Sequence, residues 1–165
     1  MAERVPAPLR AYRTTVRPEW TDYNGHLNDG CYAVVLSEAN ELLLELLGVS
    51  AEYRRTTGRA MFTVEAHLRF LAEAAQGEVL EAESLLVDAD TKRLRVHTLL
   101  RSAAGRPVAT GEHLYLHVDA DQGQVEGFPA AVQRVVARVL AAHAGLERPA
   151  HLGLGVGARP APRPV

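Results

Sequence analysis

The stretch "TDYNGHLND", residues 21–29, crowds an acid, an aromatic, an Asn-Gly pair, a histidine and two further polar side chains into nine positions. Asp22 is a carboxylate that could attack an activated carbonyl or take a proton from water. Asn24-Gly25 is a turn signal, because glycine accepts positive φ and asparagine tolerates it. Asn28 or Asp29 can cap a helix that starts here. The first backbone N–H groups of such a helix lack intrahelical partners, and the macrodipole adds partial positive charge to them. A helix start of this kind polarises a carbonyl and holds a developing oxyanion. Taken alone, Asp22 is more often a turn residue than a reactive one. The neighbouring Gly-His-x-Asn and the apolar run behind it favour chemistry. His26 can either shape a site or simply hydrogen-bond the turn, and Asn28 can either serve the site or only cap the helix.

The run that this loop introduces predicts a buried helix. Tyr32, Ala33, Val34, Val35, Leu36, Ala39, Leu42, Leu43, Leu44, Leu46 and Leu47 cover most of a helical wheel. Ser37, Glu38, Asn40, Glu41 and Glu45 share one stripe, and Gly48 stands where a C-cap glycine belongs. Before the loop, residues 9–18 read as a first or edge strand ending at Pro18. After the helix, residues 50–58 read as a polar connection, and the period then switches to two. Phe62, Val64, Ala66, Leu68 and Phe70 alternate with Thr63, Glu65, His67 and Arg69, which predicts one apolar face with Glu65 opposite it. Residues 77–90, 92–100 and 107–119 follow as strands, and short connections suggest an antiparallel meander of four. Pro129 opens an amphipathic helix carrying Val132, Val135, Val136, Val139, Leu140 and His143, closed by Gly145. A helix apolar on nearly every side needs walls on nearly every side. A curved antiparallel five-stranded sheet wrapped around it supplies them, so the predicted class is α+β, a hot-dog fold with an added C-terminal amphipathic helix. Residues 1–147 form its single domain and 148–165 a flexible Gly/Pro/Ala-rich tail. The exposed edges of a wrapped sheet predict an even-numbered homo-oligomer, a dimer or tetramer.

Composition narrows the function classes. The 165 residues suit one domain, 47% hydrophobic and 23% charged are ordinary globular values, and the net charge of −2 argues against a nucleic-acid or membrane partner. A single cysteine, Cys31, excludes internal disulfides and CxxC chemistry. His113 and His117 share a strand face, but no third ligand accompanies them, so no metal is expected. His67 and His97 are expected to face solvent or a subunit contact. Without a signal-peptide stretch or a transmembrane run, the chain reads as cytoplasmic.

"WTDYNGHLNDGCY" resembles the D-x-x-G-H-x-N-x-x-x-Y signature of hot-dog thioesterases of the 4-hydroxybenzoyl-CoA thioesterase type, with Asp22, Gly25, His26, Asn28 and Tyr32 on it. Downstream, "FTVEAHLRFLAEAAQGEVLEAESLLVDADTKRLRVHTLL" and "ATGEHLYLHVD" resemble the betainyl-CoA thioesterases of bacterial carnitine catabolism. The resemblance implies an acyl-CoA thioesterase that needs no cofactor, CoA being part of its substrate. It implies that Asp22 acts as nucleophile or general base and that the Asp29 N–H is the oxyanion donor, with Gly30 behind it. His26 and Asn28 would shape the site and position water, and Glu65, on the face away from the core, is a second acidic candidate that would enter a shared active site in a dimer. A trimethylammonium acyl group favours aromatic faces; the aromatics available are Trp20, Tyr23, Tyr32, Phe70 and Tyr115, of which Trp20 and Tyr23 flank Asp22 and are the nearest candidates. The rivals are a hot-dog hydratase or dehydratase of enoyl thioesters and a non-catalytic acyl-CoA-binding module.

Overall fold

The computed structural model of the chain describes residues 4–154. Strand β1 (Leu9–Thr15) leads through a 3₁₀ turn (Pro18–Trp20) to helix α1 (Asp29–Leu47), and α2 (Ala51–Thr57) follows directly. Then come β2 (Arg59–Phe70), β3 (Val79–Ala89), β4 (Arg93–Ser102), β5 (Pro107–Asp119), the short β6 (Gln124–Val125) and α3 (Ala130–His143). The polar connection expected at 50–58 is therefore mostly helical, and Gly58, at φ +75°, turns the chain into β2.

Helix α1 buries Tyr32, Val35, Leu36, Ala39, Asn40, Leu43, Leu44 and Leu47, the i, i+3, i+4, i+7 spacing of one wide helical face. Burial of a leucine side chain contributes roughly 1.5–3 kcal/mol, and Leu36, Leu43 and Leu47 are all fully buried. Gly48 ends the helix in the left-handed region at φ +76°, its N–H reaching back to Glu45 and Leu44 carbonyls. The helix lies against the inner face of the sheet, its N-terminal half among Val16, Leu27, Leu80, Leu100 and Val108. Its C-terminal half packs with Leu86, Leu94, Val96, Phe128 and α3 residues Val132, Val136 and Val139. Between the halves, Thr98 Oγ1 donates to Asn40 Oδ1 at 2.6 Å, and Asn40 Nδ2 donates to Tyr115 Oη at 3.0 Å. These buried hydrogen bonds set the helix in one register on the sheet, because breaking either strands a buried polar group.

Strand order is β1-β3-β4-β5-β2, antiparallel throughout, with β6 paired to the end of β5. The wrapped sheet and engulfed helix are the predicted hot-dog arrangement, but the four-strand meander is not what forms. Only β3-β4-β5 meander. Strand β2 pairs with β5, and residues 71–78 carry the chain across the sheet to β3. Sequence proximity suggested a hairpin, whereas the crossover lets β2 close the far edge around α1.

The predicted alternation of β2 also breaks. Thr63 faces Tyr115 and Glu65 faces Leu114, so Val64 is an unpaired bulge residue. A bulge shifts side-chain parity by one. Phe62 thus shares the outer face with Glu65 and His67, while Ala66, Leu68 and Phe70 face inward. His97, expected near solvent, is only 3% exposed. At the far end, α3 stops at the C-cap Ala144, one residue before Gly145. Residues 149–154 form turns, and the Gly153 N–H donates to Glu112 Oε2 at 2.7 Å. The remainder of the expected tail, 155–165, lies outside the described residues. Among the described residues no helix is long and apolar enough to cross a membrane.

Candidate active site

Residues 20–28 form a miniature hairpin at the mouth of α1. The Asp22 N–H donates to His26 O at 2.9 Å, the Gly25 N–H to Asp22 O at 3.0 Å, and the Asn28 N–H to Trp20 O at 2.8 Å. A three-residue loop of this kind needs a left-handed residue after its turn. Gly25 supplies it at φ +76°. The loop folds back onto its own acid: Asn24 donates to Asp22 through its backbone N–H at 2.8 Å and its side-chain amide at 3.3 Å. These donors, the Asn24 N–H foremost, hold the half-buried Asp22 carboxyl below the usual Asp range. It is therefore a carboxylate at neutral pH.

Asn28 is the N-cap of α1, its Oδ1 accepting the Gly30 N–H at 3.0 Å. Asp29 Oδ1 accepts the same N–H at 2.8 Å. Gly30 is thus not available behind an oxyanion as expected, since two side-chain oxygens already hold its only backbone donor. The Asp29 N–H lies in the first helical turn, where no intrahelical acceptor exists.

The crossover after β2 closes the other side. The Leu27 N–H donates to Ala74 O at 2.8 Å and the Gln76 N–H to Gly25 O at 3.1 Å, tying the hairpin to the crossing strand. Arg106 Nη2 donates to the Glu73 carbonyl at 3.0 Å and pairs with Glu78 at 2.9 Å, pinning the crossover from β5's side. The open cleft so formed, about 360 Å³, takes Asp22, Asn24, His26 and Asp29 from the hairpin and helix start. Tyr32 of α1 and residues 70–73 of the crossover complete it. Tyr32 donates its hydroxyl to Ala72 O at 3.3 Å and meets the Phe70 ring edge-on, centroids 5.1 Å apart. His26 Nε2 lies 3.5 Å from Glu73 Oε2.

Asp22, Gly25, His26, Asn28, Asp29 and Tyr32 therefore converge, while three other candidates lie elsewhere. Tyr23 sits on the hairpin tip, 98% exposed, because the turn that buries Asp22 points the next side chain outward. Trp20 is half-buried and already stacked under the Arg17 guanidinium at 4.4 Å, so its face is taken. Within the single chain Glu65 lines a separate cavity on the outer face of the sheet with His67, Arg95 and Glu112, away from the core as its alternation predicts. Sequence reading ranked Phe70 behind Trp20 and Tyr23 and missed Ala72 and Glu73. Their segment looked like a hairpin connection, and no local pattern marks a loop that crosses the mouth of a distant helix. Among the described residues no group of three or more His, Cys, Asp or Glu side chains is placed to hold a metal ion.

Comparison with known proteins identifies the family. A model of the thioesterase-like superfamily matches residues 16–136. The betainyl-CoA thioesterase of Pseudomonas aeruginosa is 37% identical over 153 residues, covering 92% of this chain and 96% of that protein. The L-carnitine dehydrogenase/betainyl-CoA thioesterase of Agrobacterium fabrum is 40% identical over 149 residues; the alignment covers 90% of this chain but spans only 30% of that protein's length. In three dimensions, a Staphylococcus aureus protein solved in complex with CoA superposes with a TM-score of 0.84. That match covers 94% of this chain and 99% of the other at 22% identity, and so speaks to the fold.

Proposed function

The chain belongs to the thioesterase-like superfamily, and on that premise we propose that it hydrolyses the thioester of an acyl-CoA, betainyl-CoA being the first substrate to test. The observation that carries the proposal is an ionised Asp22 sharing one cavity with the first turn of α1. The Asp29 N–H polarises the thioester carbonyl and takes up negative charge as it becomes an oxyanion. Asp22 either attacks the carbonyl carbon itself or removes a proton from the water that does. Collapse of the tetrahedral species breaks the C–S bond and CoA leaves as thiolate. The general-base route gives the free acid at once, with the proton held by Asp22 returned to the thiolate; the nucleophilic route leaves an anhydride on Asp22 that a water then hydrolyses. The reaction draws on no metal or organic cofactor, CoA entering as part of the substrate. The P. aeruginosa and A. fabrum relatives, named for betainyl-CoA, support that acyl group. The cytoplasm, where CoA thioesters are made and used, is the matching compartment. The test is free-thiol release over a panel of acyl-CoAs by the wild type and by Asp22→Asn. A variant as fast as the wild type on a good substrate would remove Asp22 from the mechanism.

The working unit is an even-numbered assembly, a dimer or a pair of dimers, joined along β2. That strand ends the sheet order and leaves one side of its backbone unpaired. Phe62 and Val64 stand exposed along it, with Leu71 just beyond its end and Val34 of α1 also exposed. An apolar edge of this length invites pairing with a second copy. Sedimentation should give twice or four times the chain mass, and Val64→Lys should shift it toward the monomer. A wild type that sediments as a monomer would end this assignment.

A further inference from the structure

The cavity beside Asp22 is unusual in its charge. Three carboxylates border it, Asp22, Asp29 and Glu73, and among the described residues no lysine or arginine does. Arg106, which reaches the crossover nearby, spends its guanidinium on the Glu73 carbonyl and the Glu78 carboxylate. Asp22 and Asp29 are bound into the hairpin and the helix cap by short hydrogen bonds to backbone N–H groups. Glu73 has no such task. Its side chain is 79% exposed at the cavity rim, and its ion pair among the described residues is the long one to His26. Three residues away the Phe70 ring is 53% exposed while its neighbour Tyr32 is buried, so Phe70 offers apolar aromatic surface to whatever enters.

A cavity lined by an exposed carboxylate and an exposed aromatic ring suits one kind of acyl group. A quaternary ammonium has no N–H to donate, so it is held by charge and by ring faces rather than by hydrogen bonds. A neutral or anionic acyl chain gains nothing from Glu73, and an anionic one is repelled by all three carboxylates. We propose that Glu73, backed by the Phe70 ring, selects thioesters whose acyl group carries a permanent cation next to the carbonyl. The proposal rests on the hydrolase assignment above and adds the residue that reads acyl charge. Glu73 is a specificity residue; it takes no part in bond breaking.

Two substrates of one shape separate the effects: betainyl-CoA and 3,3-dimethylbutyryl-CoA, in which carbon replaces the quaternary nitrogen. The wild type should favour the cationic thioester in kcat/KM. Glu73→Gln should cut that preference about tenfold, what about 1.4 kcal/mol of charge attraction is worth, with the loss in KM for betainyl-CoA. Glu73→Lys should push the preference to the neutral substrate. Both side chains are tolerated sterically at so exposed a position. An unchanged ratio in both variants, or an equal loss on both substrates, would overturn the proposal. A wild type that hydrolyses both substrates without preference would overturn it while leaving the hydrolase assignment standing. A wild type that releases thiol from neither would sink both.

Discussion

Asp22 is held by its own loop. Asn24 donates to both carboxylate oxygens, so the group stays ionised as the pH falls through the ordinary Asp range, near 3.9. A group whose folded pKa is depressed is in its active, charged form above that lowered value. The wild-type kcat/KM should therefore keep its Asp22 contribution down to pH values where a free aspartate is already half protonated. Asp22→Asn keeps the turn's shape and removes the charge; kcat should fall by about 10²–10⁴, typical of a positioned acid or base, with the fold intact by circular dichroism. These residues were legible because turns and caps are local. Asn24-Gly25 and the Asn28 cap follow from conformational preferences within a few positions. Glu73 was not legible, because its place depends on a chain crossing from 50 residues away in sequence, and nothing in "AEAAQG" encodes where it lands.

At the scale of elements, the approach of α1 to β5 decides where the helix start sits. Gly111 lies under Leu36, and a Cβ placed there would come within 2.9 Å of a Leu36 methyl and 2.8 Å of His113 Cε1. In most strands Gly→Ala is neutral or stabilising, since glycine loses more chain entropy on folding. Here the sign should reverse. Gly111→Ala should destabilise by about 1–3 kcal/mol, the usual cost of overpacking a full core, lowering Tm in a thermal melt. An unchanged or higher Tm would show that α1 can shift freely. Helix α1 itself was readable from its period and its Gly48 stop. Strand β2 is a strand as expected, with Glu65 and His67 opposite Ala66, Leu68 and Phe70, but its neighbour and the side taken by Phe62 differ, because period-two patterns say nothing about partners and one bulge residue, Val64, inverts parity.

Over the whole molecule, burial of histidines makes stability depend on pH. His97 is nearly inaccessible and its Nε2 has no hydrogen-bond partner among the described residues. Desolvation outweighs the attraction of Glu112 and pulls its pKa from about 6.5 down to about 4. Below pH 6.5 the unfolded chain gains a proton that the folded chain refuses. Stability is thus complete above that pH, falls as pH drops toward 4, and loses no more from this group below it. The loss is at most about 3 kcal/mol by linkage. Urea unfolding at pH 7 and pH 4.5 should show the drop, and His97→Leu should shrink it; an equal drop in the variant would assign the effect to other groups.

The sequence alone determined what depends on near neighbours and on period. A buried helix with a capped, electropositive start follows directly from it. So do a carboxylate in the preceding turn, a mostly antiparallel curved sheet and the family signature. Only the tertiary structure decided what depends on distant segments meeting. Strand β2 pairs with β5, the crossover roofs the site, Gly30 is already occupied, and Trp20, Tyr23 and Glu65 are turned away from Asp22. The physical reason is that turn and helix preferences are set by adjacent backbone and side-chain atoms. Strand order and pocket walls are instead set by which surfaces must be removed from water together.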